Sequence, residues 1–316
     1  MKTMNGLIKE PKISIIITYR NLGKYLPDCI LSILNQQYQN FEIIIVNDAS
    51  NEKNAEIFNN IKNEKVQKIT LEKNVGQLCA FLEGLKKAKG EFVCMVDADD
   101  ILLPHYLKTL LYVHLNYKCA LVSSCGGEIN SKNEVTFLNE TKKAKVKFDE
   151  VENFLSCNND FEISPVKAPF GLWSWSPSSS AMFRKSSLDI LKYYPDLEFW
   201  KTGADKVVFS FLHLIGGSIN IDTTCYLHRH HSRNVSQTTL LNGNKRYLNE
   251  EYTKRLIKWN KKIRLDAFKM FRQNKDELIQ TYNKLNYYNM FFRIIFCINL
   301  NVIEKIIKTL FHKILP

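Results

Sequence analysis

Four short apolar runs, each followed by a helix-spaced segment, fill the first 115 residues and constrain the fold more than any other feature. Ile13–Thr18, Phe41–Val46, Val66–Leu71 and Glu91–Val96 are rich in β-branched and aromatic residues. Such runs mark strands buried on both faces of a sheet. Between them, Lys24–Gln36 carries Leu26, Ile30, Ile33 and Leu34 at helical spacing. Asn54–Ile61, Gln77–Ala88 and Pro104–Leu115 complete the alternation, with Gly90 just past the third helix and proline opening the fourth. A βαβαβαβ order predicts an α/β fold with a doubly wound, mostly parallel sheet, whose ligands bind beyond the carboxyl ends of the strands.

The remainder reads less regularly. Ala120–Ser124 is a predicted strand, and the polar stretch Glu128–Asp160 an irregular insertion. Ser180–Phe183 and Ser218–Asp222 read as strands, and Ser187–Tyr193 and Asp205–Ile215 as helices. From about residue 250 the pattern is helical. Leu256, Trp259, Ile263, Ala267 and Met270/Phe271 form one stripe; Val302, Ile303, Ile306, Ile307, Leu310, Phe311 and Ile314 form another. Either stripe packs on the main domain, on a second subunit as in a homodimer, or on a membrane. At 316 residues the chain has room for a large α/β domain, residues 1–237, and an appendage, residues 238–316. The domain divides near residue 115.

Charge separates these parts. The net charge is +12, yet residues 251–316 hold 14 Lys+Arg against 5 Asp+Glu, leaving 44 − 14 against 32 − 5, or +3, for the rest. A near-neutral body with a basic amphipathic tail suits an anionic membrane surface, and no nucleic acid is expected. The longest apolar stretch, Tyr287–Ile298, is interrupted by Asn289 and Arg293 and is too short to span a bilayer. The N-terminus lacks the apolar core of a secretory signal. The eight cysteines form no C-x-x-C pair. Reduced thiols in a cytoplasmic protein, peripheral on the inner membrane face, are the expectation.

Three segments carry chemistry. Asp97-Ala98-Asp99-Asp100 follows the fourth strand directly. Its carboxylates repel one another, and a divalent cation bridging phosphate oxygens would offset that; the alternative is an acidic turn capping the next helix. Asp48, two residues past the second strand, either accepts from a nucleobase or ribose or caps a helix. Asn74-Val75-Gly76-Gln77 joins a strand to a helix, and its glycine permits close approach of the backbone to a ligand. Neither a G-x-G-x-x-G nor a P-loop is present.

Taken in order, Ile13–Asn21, Phe41–Ser50, Asn74–Gln77 and Gly90–Asp100 resemble the family 2 glycosyltransferases, which have the GT-A fold. The resemblance is good over residues 12–110 and weaker to about 237. It implies a nucleotide-sugar donor, a UDP-sugar in the first instance, a Mn2+ or Mg2+ ion, and inverting transfer of one sugar. The acceptor would be a hydroxyl of a cell-surface glycan or a lipid-linked glycan. Thr18, Tyr19 and Asp48 would contact the base, and Asn74, Gly76 and Gln77 would lie near the nucleoside. Asp97 would meet the ribose and Asp99 the metal. Gly203-Ala204-Asp205 resembles the family's Gly-Glu-Asp segment, making Asp205 the candidate general base, with helix capping its alternative role. His231-Ser-Arg-Asn-Val-Ser236 resembles a His-x-x-Asn-x-Ser stretch, making His231 a candidate metal ligand. Arg229 and Arg233 are candidate diphosphate contacts, and Trp173 and Trp175 a candidate acceptor platform. Thr18 replaces a usual proline, Phe81 a frequent arginine, and Ala204 the glutamate of the family's segment. A sugar-phosphate nucleotidylyltransferase is the alternative enzyme, but Thr18–Gly23 lacks that group's glycine-rich loop. Non-enzymatic binding through the tail is the alternative without catalysis.

Overall fold

A computed structural model describes residues 10–138, 146–147, 161–171, 175, 177–232, 238–241, 245–248 and 250–298. The predicted alternation is present: β1 (Ile13–Tyr19), α1 (Leu26–Leu34), β2 (Phe41–Asn47), α2 (Glu52–Asn60), β3 (Val66–Thr70), α3 (Gln77–Lys87) and β4 (Phe92–Asp97). Next come β5 (Ile101–Leu102), α4 (Tyr106–Asn116), β6 (Leu121–Asn130), β7 (Glu134–Phe137), β8 (Val146–Lys147) and β9 (Ile163–Pro165). Then follow β10 (Ala181–Arg184), α5 (Ala204–Gly216), β11 (Ser218–His230), and the small hairpin of β12 (Thr238–Leu241) and β13 (Lys245–Leu248). Three helices close the described chain: α6 (Glu250–Gln273), α7 (Lys275–Tyr282) and α8, residues 284–298.

The main sheet runs β3-β2-β1-β4-β10-β6-β11-β5. Strands β3, β2, β1 and β4 are mutually parallel, as are β6 and β11, and β10 runs antiparallel between the two groups. Period-2 geometry sends Ile13, Ile15 and Ile17 to one face with Ile43 and Ile45, while Ile16, Ile44 and Val46 face the other. Burial of both faces explains why these strands read as unbroken apolar runs. Helix α3 lies close over β1 and β2 because residue 84 is glycine; a Cβ there would sit 2.6 Å from Ile16 Cγ2.

Several boundaries differ from expectation. The strand expected to end at Asp222 continues to His230, held parallel to β6 across a register shift between Ile221 and Tyr226. Part of the expected irregular insertion is sheet: β6 reaches Asn130 and turns back into β7. The helix expected at Ser187–Tyr193 is present as a 3-10 helix that begins two residues earlier, Lys185–Tyr193. The stripe Trp259, Ile263, Ala267, Met270 and Phe271 of α6 is buried against the main domain's core, together with Phe209 and Phe211 of α5. The second stripe, 302–314, lies outside the described residues. Seven cysteines are described and all are free thiols. No helix among the described residues is long and apolar enough to cross a membrane.

Candidate active site

In the strand order 3-2-1-4, β1 lies between β2 and β4, so chain connections diverge there. A cavity of about 820 Å³ opens beyond the strand ends at this point. It is bordered by Thr18, Asp48, Asn74, Gln77, Asp97, Asp99, Asp205 and His231, so the fold gathers residues 213 positions apart, from 18 to 231, in one place. Tyr19 also borders it.

The three consecutive acids divide their roles. Asp97 and Asp99 border the cavity, whereas Asp100 is fully buried and turned away from it. Asp100 Oδ1 accepts from the Arg229 backbone N–H at 3.0 Å and faces His228 Nδ1 at 3.1 Å. Burial opposes its charge, but the His228 charge and hydrogen bond hold its pKa below the ordinary value. Burial likewise lowers the pKa of His228, and the Asp100 charge and hydrogen bond outweigh it, raising the imidazole to about 9. His228 therefore supplies part of the positive charge that the acidic cluster requires. At Asp97 burial together with the Asp100 and Asp99 charges outweighs the His228 charge and pushes the carboxyl well above the carboxylate range. Asp99 Oδ2 lies 2.8 Å from His231 Nε2, and the His231 ring stacks on Tyr25 with centroids 4.9 Å apart.

Gln77 ties the two sides of the cavity together. Its Nε2 donates to Asp97 Oδ1 at 2.9 Å, and its Oε1 accepts from the Gly203 and Ala204 N–H groups at 3.1 and 3.2 Å. Those amides form the N-terminus of α5. Gly203, at φ +76°, caps that helix, so Asp205 is not the N-cap. Asp205 stands in the first turn and borders the cavity. Burial raises its pKa, and the bond from the Lys206 N–H at 2.9 Å opposes this only in part. Neighbouring Lys206 is buried, which lowers its pKa to about 8, and its Nζ donates to Asn260 Oδ1 of α6 at 3.1 Å.

Asp48 has a role that neither sequence alternative described. Asn51 caps α2, and Asp48 instead accepts from the Val75 and Gly76 N–H groups at 2.7 and 2.9 Å. It thereby holds the Asn74–Gln77 loop at the cavity edge. Gly76 is required there by φ +91° and by close approach; a Cβ would meet Lys201 Cα at 2.7 Å.

The Tyr19 ring stacks on Phe58 and its hydroxyl donates to the Asn54 carbonyl at 2.5 Å, which fixes this side chain at the cavity edge. Two expectations need correction. Arg229 is wholly buried, and it does not border the cavity. Its Nε donates to the Asp99 carbonyl at 2.7 Å and its guanidinium lies over Tyr25, where it supports the acidic turn from behind. Trp175 is a core residue whose Nε1 donates to Ser218 Oγ at 2.9 Å and whose ring packs edge-on against Phe209. Trp173 and Arg233 lie outside the described residues. Sequence reasoning also left His228 without a role and missed Lys206, Lys201, Leu256 and Trp259, all of which border the cavity. Alternation along β11 was the available signal for His228, because it requires the strand to continue past Asp222.

The sheet order, with the ligand cavity beyond the strand ends at its switch point, is that of the GT-A fold. Residues 14–169 match the family described as Glycosyl transferase family 2, and the domain they form is a family 2 glycosyltransferase domain. An uncharacterized glycosyltransferase of Haemophilus influenzae is 40% identical over 111 residues, 33% of this chain and 44% of that protein. One of Nostoc sp. is 26% identical over 226 residues, 71% of this chain and 66% of that protein. The chain thus spans less than half the length of the Haemophilus relative. Among solved structures, Staphylococcus aureus TarS 1-349 in complex with UDP-GlcNAc aligns with a TM-score of 0.51 at 16% identity, covering 90% of this chain and 79% of that one. The same protein with UDP aligns with a TM-score of 0.51 at 17% identity, covering 85% and 72%. This likeness concerns the fold.

Proposed function

We propose that the chain moves a single sugar, with inversion, from a UDP-sugar to a hydroxyl of a cell-surface or lipid-linked glycan. The observation that carries the reading is that Asp205, a carboxylate made more basic by burial, shares one cavity with the Asp97/Asp99/His231 cluster. Inverting transfer needs a base on the acceptor side and charge stabilisation on the leaving-group side. Asp205 would take the acceptor proton. Asp97 would meet the ribose, and Asn74 and Gly76 would border the nucleoside.

A divalent cation fits the donor set. Asp99 Oδ2 and His231 Nε2 offer hard and borderline ligands 2.8 Å apart at the cavity wall. Among the described residues no group of three acidic, histidine or cysteine side chains is poised to hold a metal. The diphosphate would therefore supply further oxygens. A bound Mn2+ or Mg2+ offsets negative charge on the departing diphosphate. Asp99 and His231 would hold that ion, and Lys201 would add charge at the same mouth.

Calorimetric titration with UDP, with and without Mn2+, tests the donor side. Metal-dependent binding that is lost in Asp99→Ala is expected. GDP and dTDP serve as controls, and tighter binding of either would replace UDP in the reading. Absence of all nucleotide binding would overturn it.

A further inference from the structure

Helices α6 and α8 carry an outward face that the glycosyltransfer reading does not use. Trp259, Ile263, Ala267, Met270 and Phe271 of α6, and Tyr287, Met290, Ile294 and Cys297 of α8, are buried in one core cluster. Phe271 stacks on Tyr287 and Phe268 on Phe291, each pair 5.7 Å apart, so the two helices lie side by side and antiparallel. Antiparallel neighbours that bury matching faces in one domain present their opposite faces on one side.

The α6 part of that side is cationic. Lys258, Lys261, Lys269 and Arg272 are exposed at helical spacing, with Leu265 among them and no acid on the stripe. At 1.5 Å per residue the cations span about 21 Å. The α8 part is apolar. Leu285 is 70% exposed, and Phe292 and Phe296 are 63% exposed, at i, i+7 and i+11 on one stripe. Ile257, at 65%, adds to the α6 edge. The exposed acids Asp276 and Glu277 sit on α7, at the turn between the two helices.

We infer that this face docks on an anionic lipid bilayer. Cations beside exposed Phe and Leu side chains match the two layers of such a surface, charged headgroups above and acyl chains below. A soluble polyanion would satisfy the lysines and leave the aromatic stripe in water. The placement has a consequence for the site, because Leu256 and Trp259 on another face of α6 border the cavity. Docking through α6 would leave the cavity about one helix diameter, roughly 10 Å, from the membrane surface. The inference does not depend on the donor reading, since it concerns binding without nucleotide.

The test is co-sedimentation of the full chain with phosphatidylcholine vesicles, with and without phosphatidylglycerol. Binding to the phosphatidylglycerol vesicles only, weakened by salt, is expected. Lys261→Glu with Lys269→Glu should lower the partition coefficient on the order of tenfold or more. Phe292→Ser with Phe296→Ser should lower it comparably, and neither pair should change the thermal midpoint, because these side chains are exposed. Failure to bind, or binding that neither pair alters, overturns the inference. So does retention on heparin without vesicle binding, or a dimer in light scattering that the Phe292/Phe296 pair dissociates. Loss of vesicle binding with intact UDP binding separates this inference from the donor reading.

Discussion

Replacing Gln77 with alanine would separate the two sides of the cavity. The side chain makes three hydrogen bonds, one to Asp97 and two from the first amides of α5. At about 1 kcal/mol net each, their removal costs on the order of 3 kcal/mol. For a chain of this size that corresponds to a fall of roughly 4–6 °C in the thermal midpoint. Gln77→Glu is the informative companion. Its new carboxylate can still accept from the Gly203 and Ala204 amides, but it would face Asp97 Oδ1, now without a donor. Asp97 already resists ionisation in the fold, so two facing carboxylates should share a proton at low pH and repel at high pH. The deficit of Gln77→Glu should therefore grow from pH 5 to pH 8, while that of Gln77→Ala stays nearly level. Thermal unfolding followed by circular dichroism measures both, without substrate. A Gln77→Ala midpoint within about 1 °C of the parent would refute the bridging role.

Asp205→Asn should lower the turnover number by about 10²–10⁴-fold with UDP affinity little changed; a drop under threefold would remove it as base. Because burial raises Asp205 and the base must be ionised, the acid limb of the rate should lie above the ordinary carboxylate range, as a pH–rate profile can show. Gly76→Ala should cost about 1–3 kcal/mol and weaken UDP binding, since φ is +91° and Lys201 backbone stands 2.7 Å from the added carbon. Gly217→Ala, also at positive φ but with nothing within 4 Å, should cost less in the same denaturation assay. His228 is raised from 6.5 to about 9 in the fold. Its contribution to stability is full below pH 6.5 and fades as pH rises through about 9. In chelator-treated protein the fall in thermal midpoint over that window should be shallower in His228→Gln.

How much of this was legible follows from the range of each interaction. Apolar runs at strand spacing, helix-spaced segments between them and polar residues just past the strand ends are local features. They were sufficient for a doubly wound sheet and for Asp97, Asp99, Asp48 and Asn74–Gln77 at its ligand edge. Antiparallel β10 between β4 and β6, and the run of β11 to His230, depend on pairings between distant segments, which a local pattern does not encode.

Sequence by itself therefore determined the strand–helix alternation and the kinds of side chain offered at the sheet's edge, because both follow from short-range periodicity and from the chemistry of single residues. Only the tertiary structure decided which way each of them points. Asp99 faces the cavity and Asp100 the His228 imidazole, although they are adjacent in the chain. Arg229 and Trp175, chemically suited to bind ligands, are spent on the acidic turn and on the core. Trp259, from a helix that sequence set apart as an appendage, closes against Gly203 beside the candidate base. The physical reason is that a buried polar or aromatic group goes where its partner is, and those partners come from segments far away along the chain.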